Sequence, residues 1–211
     1  MFKHRGYLVL IILTLVGGVN TFCAGLALGL TSDWFKYEHG AVRLISSTNT
    51  VGTKSSIKLG LQFQLESGWK IYWRSPGDAG FPPKLNWQGS TNVQSAKIHW
   101  PVPERFSVLS LETLGYKQEV IFPIEVFLKK IGEKIAFNGQ ITFLTCKEVC
   151  IPYNTRLGLI IPRGPINSAR EKRLIDYWME RVPKREKGSF LKIDDLELVG
   201  KRKSQFLALK I

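Results

Sequence analysis

Two cysteines, Cys146 and Cys150, carry the chemistry this sequence most directly supports. They stand in Gln140-Ile-Thr-Phe-Leu-Thr-Cys146-Lys-Glu-Val-Cys150-Ile-Pro-Tyr-Asn154, with an apolar, strand-like lead-in and Ile151-Pro152 leading out. If the residues between them form a hairpin-like turn, positions i and i+4 meet across it, within the roughly 4.4–6.8 Å of Cα separation that a disulfide requires. The loop so closed is very short, and the bond therefore adds little through loop entropy. The spacing leaves two readings open: a pair kept for thiol–disulfide exchange, or a clip on a hairpin. Lys147 beside Cys146 favours a thiolate by charge, and Glu148 opposes it.

Other chemistries find less support. A closed zinc site needs a full tetrahedral ligand set, and His4, His39 and His99 stand at no ligand-like spacing from the cysteines. Soft thiolates suit Cu(I), which keeps a copper-tolerance role as an alternative, although the chain has only two Met and no Met/His cluster. There is no Gly-x-Ser-x-Gly, no glycine-rich phosphate loop and no His-Glu-x-x-His. No cofactor is expected.

The first 25 residues read as an export signal. Lys3 and Arg5 precede the apolar run Tyr7–Val16, and small and polar residues follow. A spanning helix needs about 20 apolar residues, so the run is read as cleavable, with cleavage after Ala24, Gly25 or Ala27. Cys23 leaves with the signal on this reading, since bulky Phe22 precedes it where a lipoprotein site wants a small residue. The mature chain then keeps an even pair, Cys146 and Cys150, in a compartment where disulfides persist.

The elements that must position the pair are short strands. Ile57, Leu59, Leu61, Phe63 and Leu65 alternate over nine residues, the pattern of a half-buried strand. Ala41–Ser46, Trp69–Trp73, Lys84–Trp87, Ala96–Trp100, Glu119–Leu128, Ile135–Leu144 and Thr155–Ile161 read similarly. Ser75-Pro-Gly-Asp-Ala-Gly80 and Pro82-Pro83 are expected to be irregular. Many short strands with no helical period between them predict an all-β antiparallel sandwich over residues 34–163. The aromatic, Gly- and Pro-rich stretch Gly68–Pro83 is either a packed turn with a Trp core or a loop that shields the cysteines and shapes a partner surface. Residues 164–211 change texture. An amphipathic helix is expected over Ile166–Val182, capped by Asn167 or Ser168 and stopped by Pro183. Strand-like pieces follow at Leu191–Val199 and Phe206–Ile211, and they either pack on the first domain or open a second one.

The net charge of +13 does not point to nucleic acid. Residues 26–163 hold 16 basic and 10 acidic residues and residues 164–211 hold 12 and 7. The excess is diffuse, and specific nucleic-acid binding needs a focused patch with a reading element.

Several pieces in order then resemble a known family. They are Tyr72-Trp-Arg-Ser-Pro-Gly-Asp-Ala-Gly80, Asn86-Trp-x-Gly-Ser90, Trp100-Pro-x-Pro-x-Arg-Phe106, Thr113-x-Gly-Tyr116, Phe122-Pro-Ile124 and Cys146-x-x-x-Cys150-Ile-Pro152. Together they resemble the N-terminal periplasmic domain of the DsbD-like thiol:disulfide interchange proteins, in the suppressor-of-copper-sensitivity (ScsB) branch. The resemblance implies an immunoglobulin-like sandwich in a Gram-negative periplasm. Cys146 and Cys150 match the redox pair, which would accept electrons from a membrane-embedded partner and pass them to periplasmic thiol–disulfide proteins. Tyr72 matches an aromatic near the active site, and a cap loop shielding the disulfide would fall around Phe106–Leu114, with Phe106 at its start. Two departures stand out: the cysteine spacing is shorter than in DsbD itself, and no multi-span or thioredoxin-like segment follows. The expectation is therefore a membrane electron donor supplied in trans, or else a truncated remnant of a longer family member. The alternative function is a non-enzymatic periplasmic binding or scaffold domain with a structural disulfide.

Overall fold

The computed structural model describes residues 30–108, 110–184, 195–199 and 206–210, with backbone alone for Val108 and the last two segments. The export signal read at residues 1–25, the start of the strand-like piece at 191–194 and the basic turn at 201–203 lie outside them. In chain order the strands are β1 (Phe35–Tyr37), β2 (Gly40–Ser46), β3 (Ser56–Leu65), β4 (Lys70–Gly77), β5 (Lys84–Asn86), β6 (Val93–Ile98) and β7 (Glu104–Val108). Then come β8 (Leu111–Lys117), β9 (Glu119–Leu128), β10 (Ile135–Cys146), β11 (Cys150–Ile161), helix α1 (Lys172–Glu180), β12 (Asp195–Val199) and β13 (Phe206–Lys210).

One sheet runs β1-β2-β3-β9-β6 and the other β11-β10-β4-β8-β7, with β5 also on β10. Every pairing is antiparallel. The two sheets face each other as an immunoglobulin-like sandwich. Alternation builds the core: Ile57, Leu59, Leu61, Phe63 and Leu65 of β3 meet Phe137, Ile141 and Phe143 of β10 and Leu157, Leu159 and Ile161 of β11. Each such side chain contributes roughly 1.5–3 kcal/mol when fully buried.

The run Val120-Ile-Phe-Pro-Ile124 lacks alternation because β9 is covered on both faces. Val120, Phe122 and Ile124 enter the sandwich core. Ile121 joins Ile45 beneath Ile175 of α1 on the outside of the sheet. The helix is shorter than its apolar spacing suggests. Ser168 is bridged to Thr48, and the Ala169 N–H donates to the Ser47 carbonyl at 3.0 Å, so residues 167–169 extend the sheet edge and cannot coil. The helix starts at Lys172, with Glu171 as N-cap and no side-chain cap hydrogen bond. Beyond it, β12 and β13 form an antiparallel hairpin.

Three sequence expectations are corrected. Ser75-Pro76-Gly77 ends β4 instead of being irregular. Tyr72 faces Gly115 and Gly77 faces Thr113, so Trp73–Pro76 bulge opposite Leu114 and Pro76 has no register partner to disappoint. The second strand of the cysteine hairpin begins at Cys150 and not Thr155, since Pro152 lies on an edge strand, where a missing N–H is tolerated. Within the expected cap loop, Phe106–Val108 pair with Leu111–Thr113 as part of a β-hairpin, β7 with β8.

Candidate redox site

The site is the apex of the longest hairpin. β10 and β11 pair continuously from Ile135↔Ile161 to Cys146↔Cys150. Lys147, Glu148 and Val149 close the turn, with the Lys147 N–H donating to the Val149 carbonyl at 3.1 Å. The ladder brings the cysteine Cα atoms to 4.2 Å, and a disulfide joins them.

Strand alternation decides which face the sulfurs see. Phe143 enters the sandwich core. Leu144 and Cys146 are therefore turned to the outer face of their sheet, where a solvated strand would carry polar residues. There they form a separate apolar cluster with Tyr72 of β4 and Phe106 of β7, flanked by Phe81. Cys146 is fully buried, whereas Cys150 is exposed and its neighbour Val149 is 62 % exposed. One cysteine is thus sealed and the other is open to solvent.

Tyr72 links the two. Its side chain is fully buried, and its hydroxyl lies 3.8 Å from Cys150 Sγ. Burial pushes the phenol pKa up, so the hydroxyl keeps its proton and can donate one. Gly80 lies on the ring. A Cβ there would fall within 2.4 Å of it, and φ is +92°, a conformation that glycine adopts without penalty. The loop that carries Gly80 and Phe81 is tied down by the Asp78 N–H donating to the Glu112 carbonyl at 3.0 Å and by the Glu112 N–H donating to Asp78 Oδ2 at 3.1 Å.

Phe106 closes the other side. Its ring centroid is 6.3 Å from that of Tyr72, with planes tilted by 42°. Thr113 Oγ1 donates to the Phe106 carbonyl at 2.9 Å and fixes the backbone. Gly115 leaves space for this arrangement: a Cβ there would sit 2.1 Å from the Ile71 carbonyl oxygen and 3.1 Å from the Phe106 ring. Above Phe106 stands the Lys70 ammonium, 5.0 Å from the ring centroid, within cation–π range. The two histidines among the described residues are occupied elsewhere. His39 stacks on Trp69 at 3.8 Å and lies 3.3 Å from Glu66. His99 lies 3.7 Å from Glu125, and burial is the main cause that lowers its pKa.

Tyr72 and Phe106, singled out in the sequence, both stand against the cysteine pair. Leu144, Phe81 and Lys70 were not singled out. Leu144 had a signal, being apolar out of phase with Ile141 and Phe143. Phe81 and Lys70 both lay within the Gly68–Pro83 stretch, but a lysine there had no aromatic or turn-forming character to mark it.

An outer-face disulfide at a hairpin apex, one cysteine buried and one exposed, under aromatic cover on an immunoglobulin-like sandwich, describes a class of protein: thiol–disulfide exchange domains. The family of the N-terminal region of the thiol:disulfide interchange protein DsbD matches residues 41–162, more than half of the chain, and the chain belongs to that family. It is similar to the N-terminal periplasmic domain of ScsB from Proteus mirabilis, with 33 % identity and a TM-score of 0.61 over 74 % of this chain. The match spans 60 % of that domain's length. The reduced DsbD N-terminal domain of Neisseria meningitidis matches with 13 % identity and a TM-score of 0.32, covering 68 % of this chain and 91 % of that one. Among curated proteins no match is found.

Proposed function

We propose that residues 34–163 form a periplasmic exchange domain that takes electrons from a membrane-embedded donor and gives them to periplasmic thiol–disulfide proteins, with Cys150 as the sulfur that bonds each partner. The observation that carries this is the asymmetry of the pair, Cys146 buried and Cys150 exposed, because exchange requires access to the attacked sulfur. Family membership and the ScsB likeness support the compartment and the partner classes.

In the accepting half, a donor thiolate attacks Cys150 Sγ. The Cys146–Cys150 bond breaks, its electron pair leaves on Cys146 Sγ, and a donor–Cys150 disulfide forms. The donor's second thiolate then attacks its own sulfur in that bond and releases Cys150 as a thiolate, so two electrons have entered the domain. In the delivering half, the Cys150 thiolate attacks an acceptor disulfide. Cys146, as a thiolate, then attacks Cys150 Sγ, re-forms the original bond and frees the reduced acceptor. Tyr72 Oη donates to the Cys150 thiolate, and the Tyr72–Phe106 cover keeps unselected thiols from Cys146.

The test is trapping. Cys146→Ala leaves the exposed thiol without its resolving partner and should accumulate a reductant-sensitive adduct on non-reducing electrophoresis, whereas Cys150→Ala should trap little. If neither variant traps a partner, and the pair's reduction potential lies below about −300 mV, the bond is structural and the exchange reading is wrong.

A further inference from the structure

Lys70 opens β4 and stands in register with Cys146 of β10 on one side and with Lys117 of β8 on the other. Residues directly opposite in antiparallel strands have Cβ atoms about 4.5–5.5 Å apart on the same face, so the Lys70 side chain starts beside Cys146 on the outer face. Lys117 is held by Glu104 at 3.2 Å. Among the described residues Lys70 has no such carboxylate. Its charge rests on the Phe106 ring, and that ring packs in the same cluster as Cys146.

This placement matters when the bond opens. Attack at Cys150 sends the electron pair to Cys146 Sγ, inside a cluster of Tyr72, Phe106 and Leu144, and an apolar surrounding disfavours a thiolate. The charged and titratable groups that face Cys146 from the neighbouring elements are few, since Arg105 of β7 and Glu112 of β8 alternate onto the other face and Arg74 lies in the β4 bulge. From β4 come Lys70 and the Tyr72 hydroxyl, and the hydroxyl is committed to Cys150. From β8 and β7 comes the Lys117–Glu104 pair, internally neutral. From the turn come Lys147 and Glu148, both exposed. The Lys147 stem lies over Gly68, its Cε 3.0 Å from the place a Cβ would take there.

The geometry points to Lys70 as the counter-ion of the leaving Cys146 thiolate: a cation parked on the Phe106 ring while the disulfide is closed, and transferred to Cys146 when it opens. No atom or electron beyond those of the exchange step is needed, since the ammonium keeps its protons and only changes the group it faces. Lys70 thereby favours the reduced form and makes the pair a stronger oxidant, while Phe106 loses its cation on reduction.

The inference rests on the exchange reading, with Cys150 as the attacked sulfur. It is tested on the full chain in a Cys23→Ser, Cys150→Ala background, where Cys146 is the remaining thiol. Its titration is followed by ultraviolet thiolate absorbance. Lys70→Met should raise the midpoint by about one pH unit, and Lys70→Arg should restore it. With both active-site cysteines present, equilibration of Lys70→Met against glutathione should shift roughly tenfold toward the disulfide, ~30 mV for this two-electron couple. Lys147→Met serves as the control and should move either value by less than about threefold. The role is overturned if Lys70→Met leaves both values within about twofold of the parent, or if Lys70→Arg behaves like Lys70→Met. Trapping by Cys146→Ala with an unmoved titration overturns the Lys70 role alone. A shifted titration with no trapped partner overturns the exchange reading and leaves Lys70 as the counter-ion of a structural pair.

Discussion

The hydroxyl of Tyr72 lies 3.8 Å from Sγ of Cys150, although the tyrosine is fully buried and the cysteine exposed. A buried donor thus reaches the sulfur of the exposed cysteine from within the sheet. Tyr72→Phe keeps the ring and removes this contact. The rate of Cys150 alkylation in the reduced protein near neutral pH should fall roughly two- to fivefold, the equivalent of ~0.5–1 kcal/mol, with the melting temperature nearly unchanged. An unaltered alkylation rate would show that the hydroxyl does not act on the thiolate.

Phe106→Ala removes the cover without touching either sulfur. Truncating a buried Phe costs about 3–5 kcal/mol, and the low end is expected at this small satellite cluster. Exposure of Cys146 should speed reduction of the disulfide by glutathione on the order of tenfold, read by stopped-flow exchange. Slower or unchanged reduction would mean that Phe106 packs the sheet without screening the bond.

Gly115→Ala probes the space that lets β7 close. The new methyl would meet the Ile71 carbonyl oxygen, a backbone atom that cannot rotate away, so β8 must separate from β4 locally. A loss of about 2–4 kcal/mol in a denaturant titration is expected, together with faster reduction of the disulfide. If stability falls and the reduction rate does not change, the cover and the ladder are independent.

Fold and site differ in how far the sequence discloses them. The β3 alternation identifies a strand and its inward face, because a period of two has one structural meaning when half the residues must be buried. β7 and β8 were hidden, since Glu104-Arg-Phe-Ser-Val108 and Leu111–Lys117 carry charges and glycine at positions that only their neighbours explain. Pro152 and Pro76 misled in the opposite direction: a missing N–H is a defect only where a ladder asks for it, and sheet order is not written locally. The meeting of Cys146 with Cys150 was accessible from spacing. That Lys70 faces Cys146, and that Leu144 and Phe81 enclose it, depends on the register between β4 and β10 and on a loop folded back on Tyr72.

Alkaline pH should weaken the domain. Burial raises the pKa of Tyr37, with a further rise from the Tyr153 charge. Burial also raises that of Tyr116, which Arg74 opposes in part. The folded phenols hold their protons at pH values where unfolded ones, with a pKa of about 10, release them. The unfolded chain then binds fewer protons, so the contribution of these phenols to stability is constant below about pH 10 and falls as pH rises beyond it. Denaturation midpoints on either side of that value should show the decline. Tyr116→Phe should flatten it, while costing about 1–3 kcal/mol at neutral pH because the Pro101 carbonyl loses its donor.

Ile175→Ala should release α1 from the sheet. Ile175 is fully buried against Ile45 and Ile121, and the cavity should cost about 2–5 kcal/mol. The melting temperature should fall while glutathione reduction of the disulfide stays at the parental rate, because the helix covers the sheet that does not hold the cysteines. A changed reduction rate would reveal coupling between the two faces.

The β10–β11 ladder has its own consequence for the pace of exchange. Backbone pairing, not the sulfur–sulfur bond, holds the two cysteines in register, so opening the bond frees almost no chain and the two thiols stay neighbours in the reduced protein. Well-oriented groups on one framework can reach effective molarities on the order of 10⁵ M, far above any partner's concentration in solution. On the proposed mechanism, an acceptor joined to Cys150 is displaced by Cys146 sooner than a second molecule can arrive, and that mixed disulfide is brief. Under the proposed exchange, turnover would be limited by how often partners arrive at the hairpin apex, with no refolding step between one encounter and the next.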